Sequence, residues 1–151
     1  MHPLLTQEVD KKLLLLGNEA IVRGAMEAGV AFATTYPGTP ASEIGDNFFR
    51  IAAESELYFE YSINEKAALE AAAGAAVSGV RAMCSMKHVG LNVAADPLMT
   101  LAYVGVRGGM VIVTADDPAI FQARMNRTIA CTRDCPIFPC SSPHQLRRPK
   151  R

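Results

Sequence analysis

The stretch Val30-Ala31-Phe32-Ala33-Thr34-Thr35-Tyr36-Pro37-Gly38-Thr39-Pro40 opens short, apolar and rich in β-forming residues, and closes on a rigid turn. A run without polar alternation suits a strand covered on both faces. Upstream, Gly17-Asn18-Glu19 precedes a helical pattern from Ala20 to Gly29. Asn18 can cap that helix, Glu19 suits its positive end, and Gly29 can end it in a left-handed turn. Downstream, Ser42-Glu43 begins a helix running to about Ala53, and Leu57 to Ser62 alternates as a second strand. Asn64-Glu65 opens a long alanine-rich helix, from Lys66 to about Val80, followed by a strand from Ala82 to Met86. Asn92 to Gly105 reads as a helix whose first turn is broken by Asp96-Pro97, and Met110 to Thr114 as a strand. Strands separated by helices of this length are crossover units. The expected fold is α/β, a mostly parallel sheet with helices on both faces.

A chain of 151 residues, half of them hydrophobic, suits one domain with a real core. The formal net charge is zero, which argues against nucleic acid as the main partner. No apolar stretch approaches a membrane span, and no signal peptide is legible, so no membrane partner is expected. Four cysteines are too few for a disulfide scaffold, which points to a cytoplasmic location. The zero charge hides a split: residues 1–121 carry 14 acidic and 8 basic side chains, residues 122–151 carry 1 and 7. All 11 glycines precede residue 122, whereas three of the four cysteines follow it. Residues 1–12 read as an N-terminal arm, 13–121 as the domain, and 122–151 as a tail of different origin.

In open parallel sheets, ligands bind beyond the carboxyl ends of the strands. That rule singles out Tyr36 to Pro40, Ser62 to Glu65, Met86 to Asn92, and Ala115 to Pro118. Glu65 at a helix entrance is first of all an acid stabilised by the helix dipole; its functional alternative is a carboxylate at a cofactor edge. Thr39 is either a turn hydroxyl capping the next helix or a donor to a substrate carboxylate or carbonyl. Lys87-His88 follows a strand; a lone histidine is more often a structural hydrogen-bonding group. Val89-Gly90-Leu91-Asn92 lets backbone approach a ligand without being a phosphate loop, and no dinucleotide or Walker fingerprint is present. Asp116-Asp117 reads as loop solvation rather than a Mg²⁺ site. Cys131, Cys135 and Cys140 lack the usual zinc or iron–sulfur spacing, so no metal ligands are assigned.

Four strings carry a family resemblance: Leu16-Gly17-Asn18-Glu19-Ala20, Tyr36-Pro37-Gly38-Thr39-Pro40-Ala41-Ser42-Glu43-Ile44, Asn64-Glu65-Lys66-Ala67-Ala68-Leu69-Glu70, and Met86-Lys87-His88-Val89-Gly90-Leu91-Asn92-Val93-Ala94-Ala95-Asp96-Pro97. Together they resemble the start of the alpha subunit of the indolepyruvate:ferredoxin oxidoreductases, a branch of the thiamine-diphosphate-dependent 2-oxoacid:ferredoxin oxidoreductases. The resemblance implies that residues 13–121 are a pyrimidine-binding domain, here incomplete. It implies that Glu65 hydrogen-bonds the aminopyrimidine and drives the imino tautomer that helps remove the thiazolium C2 proton. It further implies that Pro37, Gly38, Gly90 and Asn92 line the cofactor, and that Thr39, Lys87 and His88 face the arylpyruvate. A complete enzyme of this family uses thiamine diphosphate with Mg²⁺, [4Fe-4S] clusters and coenzyme A, pairs with a beta subunit, and reduces ferredoxin. A sister enzyme with another 2-oxoacid substrate, or a non-catalytic binding module with a basic tail, are the alternatives.

After Ala115-Asp116-Asp117-Pro118 the resemblance stops. Codons exist for Phe121 to Ala130 that, read from the third base, spell Ser-Ser-Gln-Asn-Glu-Gln-Asp-Asn-Arg, a family-like continuation. The same shift near Cys135 can give Asp-Ile-Pro-Met-Phe-Glu-Pro-Ser-Ser. The expectation is a frameshift after Phe121, with residues 122–151 read out of frame and unstructured. The Mg²⁺ and diphosphate site would then be missing, and the chain alone would be inactive.

Overall fold

Parallel strands need a crossover between each pair, and the chain supplies one every time. A computed structural model describes residues 2–6 and 12–116. After a 3-10 turn at Pro3–Leu5, the elements are α1 (Gly17–Glu27), β1 (Phe32–Thr35), α2 (Ser42–Ala52), β2 (Tyr58–Tyr61), α3 (Glu65–Val77), β3 (Ala82–Lys87), α4 (Gly90–Val93), α5 (Ala95–Val104) and β4 (Met110–Ala115). The four strands form one sheet in the order β2-β1-β3-β4, parallel throughout. The expected α/β architecture is what the structure has. The proposed boundary after Phe121 and the tail 122–151 lie outside the described residues.

The two faces differ in how they are filled. On one, Val22 of α1 and Ile44, Phe48 and Ile51 of α2 bury against Ala33 and Met83 of the sheet, with Leu4, Val30 and Leu57 closing the edges. On the other, Ala68, Leu69, Ala72 and Ala76 of α3 are buried, with Cys84 and Met86 of β3 also inside. The alanines keep α3 close to the strands, which is the physical reason for that composition. Gly45 serves the same purpose on the first face. A Cβ there would stand 2.6 Å from Thr35 Cγ2 and 3.2 Å from Tyr61 Cε1. Thr35 is fully buried and hydrogen-bonded to Ser85, so it has little room to yield. Gly45→Ala is therefore expected to destabilise the fold by about 1–3 kcal/mol through overpacking. Urea unfolding followed by circular dichroism checks this; an unchanged midpoint would contradict it.

Several boundaries move. The first strand is shorter than Val30 to Tyr36, because only Phe32–Thr35 pair with both neighbours. Asn18 does not cap α1. The helix begins earlier, at Gly17, its N-cap position is Leu16, and the Leu16 N–H donates to the Glu19 carboxylate at 2.8 Å. Asn18 instead reaches across space, donating from Nδ2 to Pro40 O (3.1 Å) and Glu43 Oε2 (2.8 Å). Gly29 does end the segment in the left-handed region, at φ +75°. The helix expected from Asn92 is two pieces, α4 and α5, with Asp96-Pro97 in the first turn of α5, where proline lacks nothing the helix needs.

Strand order sets the place of the site. The chain passes from β1 outward to β2, then returns to the opposite side of β1 for β3. The connection after β1 leads to α2 on one face, and the one after β3 leads to α4 and α5 on the other. The connections from β1 and β3 leave toward opposite faces, so the topological switch point of this open parallel sheet, where ligands bind by rule, lies between them.

Candidate active site

The loop after β1 is closed by its own backbone. Gly38 O accepts from Ala41 N–H at 2.7 Å and from Ser42 N–H at 3.1 Å, which turns the chain into α2. The Thr39–Pro40 peptide is cis. The α2 N-terminus has no side-chain cap, so the capping role open to Thr39 is not used. Pro37 and Thr39 are exposed and Gly38 is half-buried. Gly38 lies against the neighbouring strand end: a Cβ there would meet Lys87 Cβ at 3.0 Å. Asn18 holds the far end of this loop through Pro40 O.

Beneath the loop, hydroxyls tie the strand ends together. Thr35 Oγ1 donates to Ser85 O at 2.8 Å, and Ser85 Oγ donates to Thr35 Oγ1 at 2.9 Å, joining β1 to β3. On the other face of β1, Thr34 Oγ1 and Ser62 Oγ share a 2.7 Å hydrogen bond. Thr34, Thr35 and Ser85 are almost fully buried, so these bonds satisfy groups that would otherwise cost free energy. The sequence reading assigned nothing to them. Their signal is a cluster of hydroxyl residues at the end of otherwise apolar strands.

Asn64 caps α3, its Oδ1 accepting from Ala67 N–H at 2.8 Å. Glu65 is thus the first helical residue, and its carboxylate is not needed as the cap. It extends instead over Gly90, where α4 begins. A Cβ on Gly90 would stand 2.5 Å from Glu65 Oε1 and 2.7 Å from Glu65 Cδ. Only a residue without a side chain leaves that space to the carboxylate. Glu65 is half-buried, and its negative charge adds to burial in pushing the Cys84 thiol up to about 12. Burial is the larger cause, and the thiol is held neutral and unreactive at ordinary pH.

The loop after β3 carries Lys87, His88 and Gly90. His88 is 4% exposed, and its Nδ1 stands 3.3 Å from Asp116 Oδ1 at the end of β4. Asn92 is exposed on α4. The carboxyl edge thus brings Glu65 together with Gly90, Gly38 with Lys87, and His88 with Asp116, while Pro37, Thr39 and Asn92 stand at its exposed rim. Among the described residues, no three His, Cys, Asp or Glu side chains group so as to hold a metal ion.

Residues 23–115 match the family described as pyruvate flavodoxin/ferredoxin oxidoreductase, thiamine diphosphate-binding. The chain belongs to this family. Indolepyruvate oxidoreductase subunit IorA of Methanothermobacter thermautotrophicus is 52% identical over 149 residues, covering 97% of this chain and 24% of that protein. The subunit of the same name from Archaeoglobus fulgidus is 55% identical over 118 residues, covering 76% of this chain and 19% of that protein. The 2-oxoglutarate synthase subunit KorA of Archaeoglobus fulgidus is 37% identical over 79 residues, 52% of this chain and 23% of that protein. The chain spans about a quarter of the length of the relatives it matches most fully. A 2-oxoglutarate:ferredoxin oxidoreductase from Magnetococcus marinus shares the fold, with a TM-score of 0.64 at 22% identity over 68% of this chain and 18% of that one.

The cradle of Glu65 on Gly90 fits this thiamine-diphosphate-binding family physically. Resting on bare backbone, the Glu65 carboxylate has a fixed place beside the switch point. No helix of the described residues is long and apolar enough to cross a membrane.

Proposed function

We propose that this chain forms the aminopyrimidine-binding wall of an indolepyruvate:ferredoxin oxidoreductase alpha subunit. The observation that carries the proposal is the Glu65 carboxylate seated on Gly90 at the carboxyl edge. Glu65 would accept or share a proton at the pyrimidine nitrogen. The backbone of Gly38 and Gly90, with Pro37 and Asn92 at the rim, would shape the wall around the ring. Thr39, Lys87 and His88 would face the substrate: Thr39 and Lys87 as donors to its carboxylate, His88 as a buried polar group. Thiamine diphosphate, with Mg²⁺ held elsewhere in the subunit, would supply the electron sink for decarboxylation. Coenzyme A, [4Fe-4S] clusters, a beta subunit and ferredoxin would complete the reaction in a cytoplasmic enzyme.

The incomplete coverage of the relatives supports reading the chain as one part of a subunit. We also propose that residues 122–151 are out of frame after Phe121; the charge reversal and the loss of glycine support this, and the Methanothermobacter thermautotrophicus match over 97% of the chain stands against it. Resequencing the coding DNA across that point tests this; a confirmed frame followed by unrelated DNA would refute it.

The substrate reading has its own test. The complete subunit, expressed with its beta partner, is assayed for coenzyme-A-dependent ferredoxin reduction with indolepyruvate, pyruvate and 2-oxoglutarate. Indolepyruvate is expected to give the highest kcat/KM. Preference for 2-oxoglutarate would make the chain part of the sister enzyme instead.

A further inference from the structure

β3 and β4 end in step, with Lys87 paired to Ala115. The next residues along, His88 and Asp116, therefore leave the sheet side by side. The backbone of His88 is fixed from both directions: its N–H donates to Ala115 O at 3.0 Å, and its C=O accepts from Leu91 N–H at 3.2 Å. The His88 side chain is 5% exposed, against 37% for the Asp116 side chain, and Nδ1 lies 3.3 Å from Oδ1, at ion-pair distance but without the geometry of a hydrogen bond. A half-open carboxylate can swing onto a ring that is already confined.

We propose that Asp116 is a positioning residue for His88, accepting Nδ1–H and so holding the imidazole in the tautomer whose Nε2 carries the lone pair. A carboxylate on one ring nitrogen fixes both the orientation of the ring and the character of the other nitrogen. The inference rests on the reading of this edge as the substrate side of a thiamine site, because only there does the choice of tautomer matter to chemistry. It departs from the solvated-loop role that adjacent carboxylates ordinarily have, on the strength of the contact to a buried ring. The pair also joins the ends of the last two described strands.

The test is nitrogen NMR on the 151-residue chain labelled with ¹⁵N-histidine, at a pH where neutral imidazole dominates. The chain has three histidines, so substitution of His2 and His144 assigns the spectrum. The expected result is a pyrrole-like Nδ1 and a pyridine-like Nε2 for His88. Asp116→Ala should reverse or average the two signals, and Asp116→Asn, which keeps an oxygen acceptor, should retain the native pattern. A His88 with Nε2 protonated, or with shifts averaged like those of an unstructured histidine, overturns the proposal. So does an Asp116→Ala spectrum identical to that of the parent chain. Neither cofactor nor substrate enters this measurement, so its failure is distinct from failure of the functional reading. The latter is read by turnover of the complete enzyme.

Discussion

Glu65→Gln in the complete enzyme is expected to lower kcat by about 10²–10⁴-fold, the range that one positioned acid–base group contributes. Glutamine keeps the size and the oxygen acceptor of the side chain but cannot take up or hold a charge. It can therefore hydrogen-bond the pyrimidine without stabilising the tautomer that proton removal needs. The fold should hardly notice. Asn64, not Glu65, caps α3 through the 2.8 Å bond from Ala67 N–H. What Glu65 gives the helix is its charge near the positive end, about 0.3–1 kcal/mol. Steady-state kinetics at saturating thiamine diphosphate, beside a thermal melt, separates the two effects. A glutamine variant that turned over within a few-fold of the parent would remove the carboxylate from the mechanism.

Much of this arrangement could be read from the residues in order. The alternation of apolar strands with helices is local, and crossover geometry then leaves few topologies. The carboxyl-edge rule placed Tyr36 to Pro40, Ser62 to Glu65 and Met86 to Asn92 in one neighbourhood, and the strand order puts the switch point between β1 and β3. What sequence order could not convey was contact across space. Asn18 has the residue type of an N-cap, yet its amide holds Pro40 and Glu43, because α1 already begins at Gly17 and Asn18 lies inside its first turn. Gly90 was legible as a place for close backbone approach, but not that the approaching group is Glu65, 25 residues earlier in the chain. Asp116 read as loop solvation because nothing local distinguishes it. Only the in-step ends of β3 and β4 bring it to His88. The family assignment came from strings of residues and not from periodicity, which would have fitted many open α/β sheets equally well.

The two close glycines should respond oppositely to the same substitution. Gly45 faces the buried, hydrogen-bonded Thr35, which has little freedom to move, so an added methyl is a packing defect. Gly90 faces the Glu65 side chain from its Cγ to its carboxylate, and that side chain can make room only by changing rotamer as a whole. Its φ is not in the left-handed region, so alanine can adopt its backbone conformation. Gly90→Ala is therefore expected to leave stability unchanged or slightly raised while moving the Glu65 carboxylate off its seat. A displacement on the order of 1 Å in a catalytic group costs roughly 10²-fold in rate, and a loss of kcat of that size is the expected result. A double-mutant cycle identifies the route. If the methyl acts by displacing Glu65, then Gly90→Ala added to Glu65→Gln should cost almost nothing further, because the group it would misplace no longer has its charge. Losses that multiplied independently would mean that Gly90 matters for some other approach to the site, and that its contact with Glu65 is incidental.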